Sequence, residues 1–153
     1  MEVRDWFELL RMRSIELDKR KAELEGERAA LGPRGVTLGS IGSAGHADGM
    51  ASVDALIERE LEYDRDRAEH DLDLRRATHA LYGRDGRGGL ARARSMIDAD
   101  ILCCHYLQGM TYAQIADGLA DSRDATATHW CTMRAMRALA YMDRVGLDYL
   151  SRL

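Results

Sequence analysis

The chain has 153 residues, enough for one compact domain or a long-helical body with a small module attached, and too few for two enzyme-sized folds. A single phenylalanine, Phe7, and a single proline, Pro33, stand among abundant Ala, Leu, Arg, Glu and Asp, which favours helix over sheet and makes all-α the expected class. The formal net charge of -4 excludes a general nucleic-acid coat, because such a protein needs a basic surface to displace counterions, so any contact with DNA must be local.

Val3, Leu10, Leu17, Leu24 and Leu31 fall seven residues apart, a spacing that keeps them on one seam and predicts a long amphipathic helix over Glu2 to Leu31. Trp6, Phe7 and Ile15 widen the seam near its start, while Arg13, Ser14, Arg20, Lys21, Glu27 and Arg28 leave it narrow later. The narrow part needs a partner helix. Between Gly32 and Gly49 six glycines with Pro33, Ser40 and Ser43 predict a flexible surface loop at about 32–50. Gly39-Ser40-Ile41-Gly42-Ser43 lacks the lysine and the flanking strand of a phosphate loop.

A second long helix is predicted over Ser52 to Tyr82, capped by Ser52, with Val53, Leu56, Ile57, Leu61, Ala68, Leu72, Leu74 and Leu81 on its apolar side. It folds back on the first to give an antiparallel hairpin over 1–82. Its other surface is acidic, with Asp54, Glu58, Glu60, Glu62, Asp64, Asp66, Glu69, Asp71 and Asp73 against Arg59, Arg65, Arg67, Arg75 and Arg76. That is either a solvated face or an acidic docking surface. His70 and His79, nine apart, do not match the i, i+4 pair of a helical metal site and read as packing or surface histidines. Four glycines within Gly83 to Gly89 predict a hinge before a C-terminal module at 90–153.

In that module Leu90, Ile97, Ile101, Cys104 and Leu107 recur at helical spacing and Gly109 follows as a left-handed stop, so one helix is expected from Leu90 to Leu107. Thr111 and Gln114 make a Thr-x-x-Gln capping box for the next helix, whose inward stripe is Tyr112, Ile115 and Leu119. Ala116 is small enough for another helix to cross close by. A short turn, Ala120 to Asp124, precedes an uninterrupted helical stretch to about Met142 with Trp130, Met133, Met136, Leu139 and Ala140. The pattern is helix, turn, helix, which places its second helix in the DNA major groove.

Two registers of that helix are open. If Ser122 caps it, Thr126, Trp130 and Met133 face inward and Arg123, Ala127, Thr128 and Cys131 face DNA. If Asp124 caps it, Thr126, His129, Trp130 and Met133 point outward, with Thr128 and Cys131 inward. The preference of a large indole for the core favours the first register. The DNA-contacting candidates over both registers are Thr111, Tyr112, Arg123, Thr126, Ala127, Thr128, His129, Arg134 and Arg137.

Cys104-His105-Tyr106-Leu107-Gln108-Gly109-Met110-Thr111-Tyr112-Ala113-Gln114-Ile115-Ala116 resembles region four of bacterial sigma factors, and Arg134-Ala135-Met136-Arg137-Ala138-Leu139 resembles its closing tail. The wider layout is similar to phage-encoded transcriptional regulators of the RinA and ArpU type. The resemblance implies an all-α fold, binding of double-stranded DNA through the second helix of the motif, control of late phage genes, and no cofactor. His105 stands where the pattern usually carries an arginine, and the distance from Leu119 to Ala135 is a little longer than in the pattern.

From Leu90 onward seven arginines meet seven acidic residues, so the module is neutral where DNA-binding domains are usually basic. Weak monomer affinity, and dependence on a dimer or on RNA polymerase, are the expectation. A DNA-binding transcriptional regulator is the leading reading. The alternatives are a sigma-like interaction protein that grips RNA polymerase or a regulator without touching bases, and a small DNA-packaging (terminase) subunit. The apolar tail, Val145 to Leu153, packs on the chain's own helices or forms a dimer contact, and the leucine seam of the first helix is the other candidate interface.

No Ser/His/Asp order, Cys/His nucleophile pair or isolated carboxylate dyad stands out, so an enzyme is not expected. Cys103, Cys104 and Cys131 are odd in number and two are adjacent, which suits free, half-buried thiols in a reducing compartment. A zinc set drawn from Cys103, Cys104, His105, His129 and Cys131 lacks any C-x-x-C spacing, so no metal is expected. No run reaches the roughly 18 apolar residues of a membrane span, and the N-terminus has no signal layout, so a cytoplasmic protein without a membrane partner is expected.

Overall fold

The computed structural model describes residues 1–31, 45–119 and 125–153, with the backbone alone for 45–48 and 125–126. Most of the expected Gly/Ser loop, and the whole turn that holds Ser122, Arg123 and Asp124, lie outside the described residues. The class is all-α, with no strand among the described residues. In chain order the elements are α1 (Val3–Leu31), α2 (Gly45–Tyr82), α3 (Gly89–Ala93), α4 (Met96–Leu102), a π-helical turn (Cys103–Leu107), α5 (Tyr112–Leu119), α6 (Ala125–Val145) and α7 (Leu147–Leu150). α2 begins before the expected cap, so Ser52 sits inside the helix.

Two compact units result, Ile15–His70 and Met1–Ser14 with Asp71–Leu153. The first is the antiparallel hairpin that the sequence predicts. Leu17 and Leu56 are buried in its seam, and Leu24, Leu31 and Val53 are half-buried. Apolar side chains alone do not fill that seam: Arg20 and Glu27 on α1, and Glu60, Tyr63, Arg67 and His70 on α2, are also drawn in. Charges expected on a solvated face instead tie helix to helix, through Arg20 to Asp66 (2.7 Å), Arg28 to Glu60, Arg59 to Glu27 and Arg67 to Asp18 (3.7 Å). Their order along the two helices is inverse, which sets the antiparallel register. Ile57, Leu61, Ala68 and Leu72, expected on the apolar side, are exposed, and Leu74 is half-buried. Ile15 is exposed as well.

The second unit holds the main core, and its composition moves the expected boundary. Val3, Phe7 and Leu10 from the start of α1 and Ala77, Ala80 and Leu81 from the end of α2 pack with Leu90, Ile101, Leu102, Tyr106, Ile115, Ala135, Met142 and Leu150. The segment 83–89 is therefore no hinge between domains. Gly83, Gly88 and Gly89 are buried, and Gly89 sits at φ +60 where an added Cβ would lie 2.7 Å from the Ala80 carbonyl oxygen. Only glycine permits both that backbone and that approach.

The helix expected from Leu90 to Leu107 is broken once, at Arg94 and Ser95, and changes to a π turn at Cys103 without interruption. Ser95 adopts extended backbone and its side chain accepts a hydrogen bond from the Ile97 amide at 3.2 Å, which starts α4 afresh. Ile97 consequently points to solvent. The chain then widens into the π turn before Gly109, whose φ of +72 makes the left-handed stop that the sequence predicts. At the other end Gly146 (φ +85) turns the chain into α7, and Leu150 is fully buried in the core. Of the two roles open to the apolar tail, packing on the chain's own helices is the one observed. The leucine seam of α1 is also consumed within the chain, since Leu10 and Leu17 are buried.

Candidate functional site

α5 starts on the expected capping box. The Thr111 amide donates to Gln114 Oε1 at 2.8 Å and the Gln114 amide donates to Thr111 Oγ1 at 3.2 Å, so two amides without helical partners are satisfied reciprocally. The approach to this helix is fixed by His105. Its ring is buried, stacks on Tyr112 with centroids 4.0 Å apart, and its Nδ1 lies 2.8 Å from the Met110 carbonyl oxygen. Burial pushes its pKa down, against the opposing pull of that carbonyl. A neutral imidazole donating from Nδ1 satisfies both facts. An arginine here would bury a charge, which the neutral imidazole avoids. Burial raises the Tyr112 hydroxyl well above its ordinary range.

Ile115 and Ala116 on α5 pack toward Cys131 and Ala135 on α6. Leu119, expected inward, is exposed. Because the inner face of α6 is built from Cys131, Ala135, Ala138, Leu139 and Met142, Cys131 and Ala135 present small side chains toward α5, and the two helices approach closely. That settles the register against the favoured expectation. Cys131 is 1% exposed whereas Trp130 is 44% and Met133 39% exposed, as in the register capped at Asp124. An indole has no room in a seam of alanines, and Trp130 covers one face by lying 4.9 Å from the guanidinium carbon of Arg134.

The sequence candidates separate accordingly. His129 and Arg137 are exposed on the outer face of α6, beside Trp130, Met133 and Met136. Thr128 and Ala127 are half-buried at its edge, and the Thr128 carbonyl accepts from Thr132 Oγ1 at 3.0 Å. Thr111 is exposed but bound into the capping box, and Tyr112 is spent on His105. Arg123 and the side chain of Thr126 lie outside the described residues. Arg134 is half-buried and donates from Nε to Asp98 at 2.7 Å.

Asp98 is the residue that the sequence reading missed. It is 1% exposed and also accepts from Arg94 Nε at 2.9 Å, so α4 and α6 are clasped through one buried carboxylate. The available signal was the i, i+4 spacing of Arg94 and Asp98 across the capping Ser95.

The neutral charge count of the module hides an uneven distribution. Asp98 is bound by two arginines, Asp100 accepts from the Tyr82 hydroxyl at 2.7 Å, Asp143 from the Val3 amide at 2.6 Å, and Asp148 pairs with Arg76 at 3.3 Å. From Ala125 to Met142 the helix carries no acidic residue at all. The thiols of Cys103, Cys104 and Cys131 are free, the first two half-buried, and burial raises the pKa of each. Among the described residues no group of His, Cys, Asp and Glu is placed to hold a metal ion, and no helix is long and apolar enough to cross a membrane. Comparison with known proteins adds no relative, since no family model, no curated protein and no solved structure matches the chain.

Proposed function

We propose that the chain is a DNA-binding transcriptional regulator that lays the outer face of α6 in the major groove, braced by α5. One observation carries the reading: an exposed, acid-free helix face with His129 and Arg137 outward, in a chain otherwise rich in carboxylates. Such a face offers phosphates cationic and polar side chains with no carboxylate among them between Ala125 and Met142. The sigma-like sequence around the capping box supports the same geometry, and the resemblance to phage regulators makes late phage genes the target we favour.

The experiment is selection from a random duplex library by the intact protein. Enrichment of one short motif is expected. Arg137→Ala, on an exposed side chain, should leave thermal stability unchanged and weaken binding. A cost of about 1–3 kcal/mol confined to one position of the motif marks a base contact, and a uniform cost across all positions marks a phosphate contact. A library that emerges unenriched overturns the reading.

A second reading is favoured by a specific feature, the exposed Trp130, Met133 and Met136 on the same face. Aromatic and methionine side chains are typical anchors of protein contacts, which suits a sigma-like module that grips RNA polymerase or a regulator. Trp130→Ala then abolishes capture of the partner while duplex affinity stays as in the parent. If duplex affinity falls and capture persists, the DNA reading stands.

A further inference from the structure

The side of α6 that meets α4 carries more positive charge than its packing requires. Each oxygen of the buried Asp98 carboxylate accepts from one guanidinium Nε, Oδ2 from Arg94 and Oδ1 from Arg134. One carboxylate neutralises one guanidinium, and here it holds two, so the cluster is one anion short. Because both arginines bond through Nε, their terminal Nη groups remain. Among the described residues those groups meet a single acceptor, the Arg137 carbonyl oxygen, 3.5 Å from Arg94 Nη1 and at the outer limit of a hydrogen bond. Both side chains are about one-third exposed, 30% for Arg94 and 29% for Arg134, so these Nη groups reach water.

Aromatic rings hold the guanidiniums in place. Arg134 lies on Trp130, and Arg94 lies 5.6 Å from the Tyr141 ring centre. Planar forks with free N–H pairs, pre-oriented and short of one negative charge, match the oxygens of a phosphate group.

We propose that Arg94 and Arg134, oriented by Asp98, form a phosphate-binding clamp at the edge of α6. Asp98 is a positioning residue and the two arginines touch the phosphate. The clamp rests on the DNA reading only for the source of its phosphate, a duplex backbone or a free phosphate ion.

The test uses the full chain with Trp6→Phe, which leaves Trp130 as the only indole and as a reporter beside Arg134. Inorganic phosphate should change its fluorescence saturably, and chloride at equal ionic strength should not. Arg94→Gln on that background should abolish the response, with circular dichroism confirming the fold. Should that variant not fold, Arg94→Lys keeps the charge facing Asp98 but loses the planar fork, and a weakened response is expected. In the duplex arm, Arg94→Gln should lower the slope of log affinity against log salt by roughly 0.9 for each phosphate that the variant no longer neutralises, with the preferred sequence unchanged.

A phosphate response in the parent with an unchanged duplex slope supports the clamp with free phosphate as its ligand. A phosphate response with no duplex binding supports the clamp and removes the DNA reading. If phosphate acts no differently from chloride, or if Arg94→Gln and Arg94→Lys respond like the parent, the clamp is overturned.

Discussion

His105 is neutral in the fold because protonation would place a charge between Tyr112 and the core. Its folded pKa lies below the unfolded value of about 6.5, so the unfolded chain takes up the proton more readily. The stability that comes from the neutral ring is complete above about pH 6.5 and is lost as pH falls through that value toward the folded pKa. The melting temperature should therefore drop between pH 7.5 and pH 5, and drop less in His105→Phe, which has nothing to protonate there. Parallel curves for the two proteins contradict this account. At pH 7.5 the same variant lacks the bond to the Met110 carbonyl and should be less stable by about 1 kcal/mol in urea unfolding. The sequence marks His105 as a departure from the sigma pattern. It does not mark its role, which depends on Tyr112 arriving from the next helix.

Individual elements were legible where local chemistry decides them, and less so where packing does. The capping box reads directly from Thr111 and Gln114, and Thr111→Ala should cost about 1 kcal/mol, measured by chemical denaturation. The antiparallel hairpin reads from the heptad leucines, but the half-burial of Glu60 and Arg67 along its seam does not, because cross-helix ion pairs to Arg28 and Asp18 draw them in. The break at Ser95 was missed because Ile97 continues the apolar period that the backbone abandons. The register of α6 misled for a related reason. An indole's general preference for the core gives way when the inner face is Cys131, Ala135 and Ala138 and an arginine offers its plane outside. The glycine turn supplies a paired test of packing against flexibility. Gly86→Ala meets no neighbour within 4 Å and bears only the left-handed backbone penalty of about 1–2 kcal/mol, whereas Gly89→Ala also strikes the backbone of Ala80 and Gly83 and should be clearly more destabilising. Equal destabilisation would restore the hinge.

At the scale of the molecule, the module that presents α6 is not the C-terminal half alone. Phe7 is fully buried, its ring 5.5 Å from that of Tyr106, and Val3, Leu10, Ala77 and Leu81 share its core. Phe7→Ala should cost about 3–5 kcal/mol, and a chain lacking Met1 to Ser14 should lose its cooperative unfolding transition. The sequence placed a boundary at 83–89 because glycines there look permissive. Packing between residues far apart in the chain moved it, and such packing leaves no local trace. The account stands most directly on the outer face of α6, and fluorescence anisotropy of a labelled duplex, titrated with the full chain at rising salt, measures it. It predicts binding at low salt whose log affinity falls linearly with log salt. A duplex that stays unbound at the lowest salt, or an affinity indifferent to salt, contradicts it.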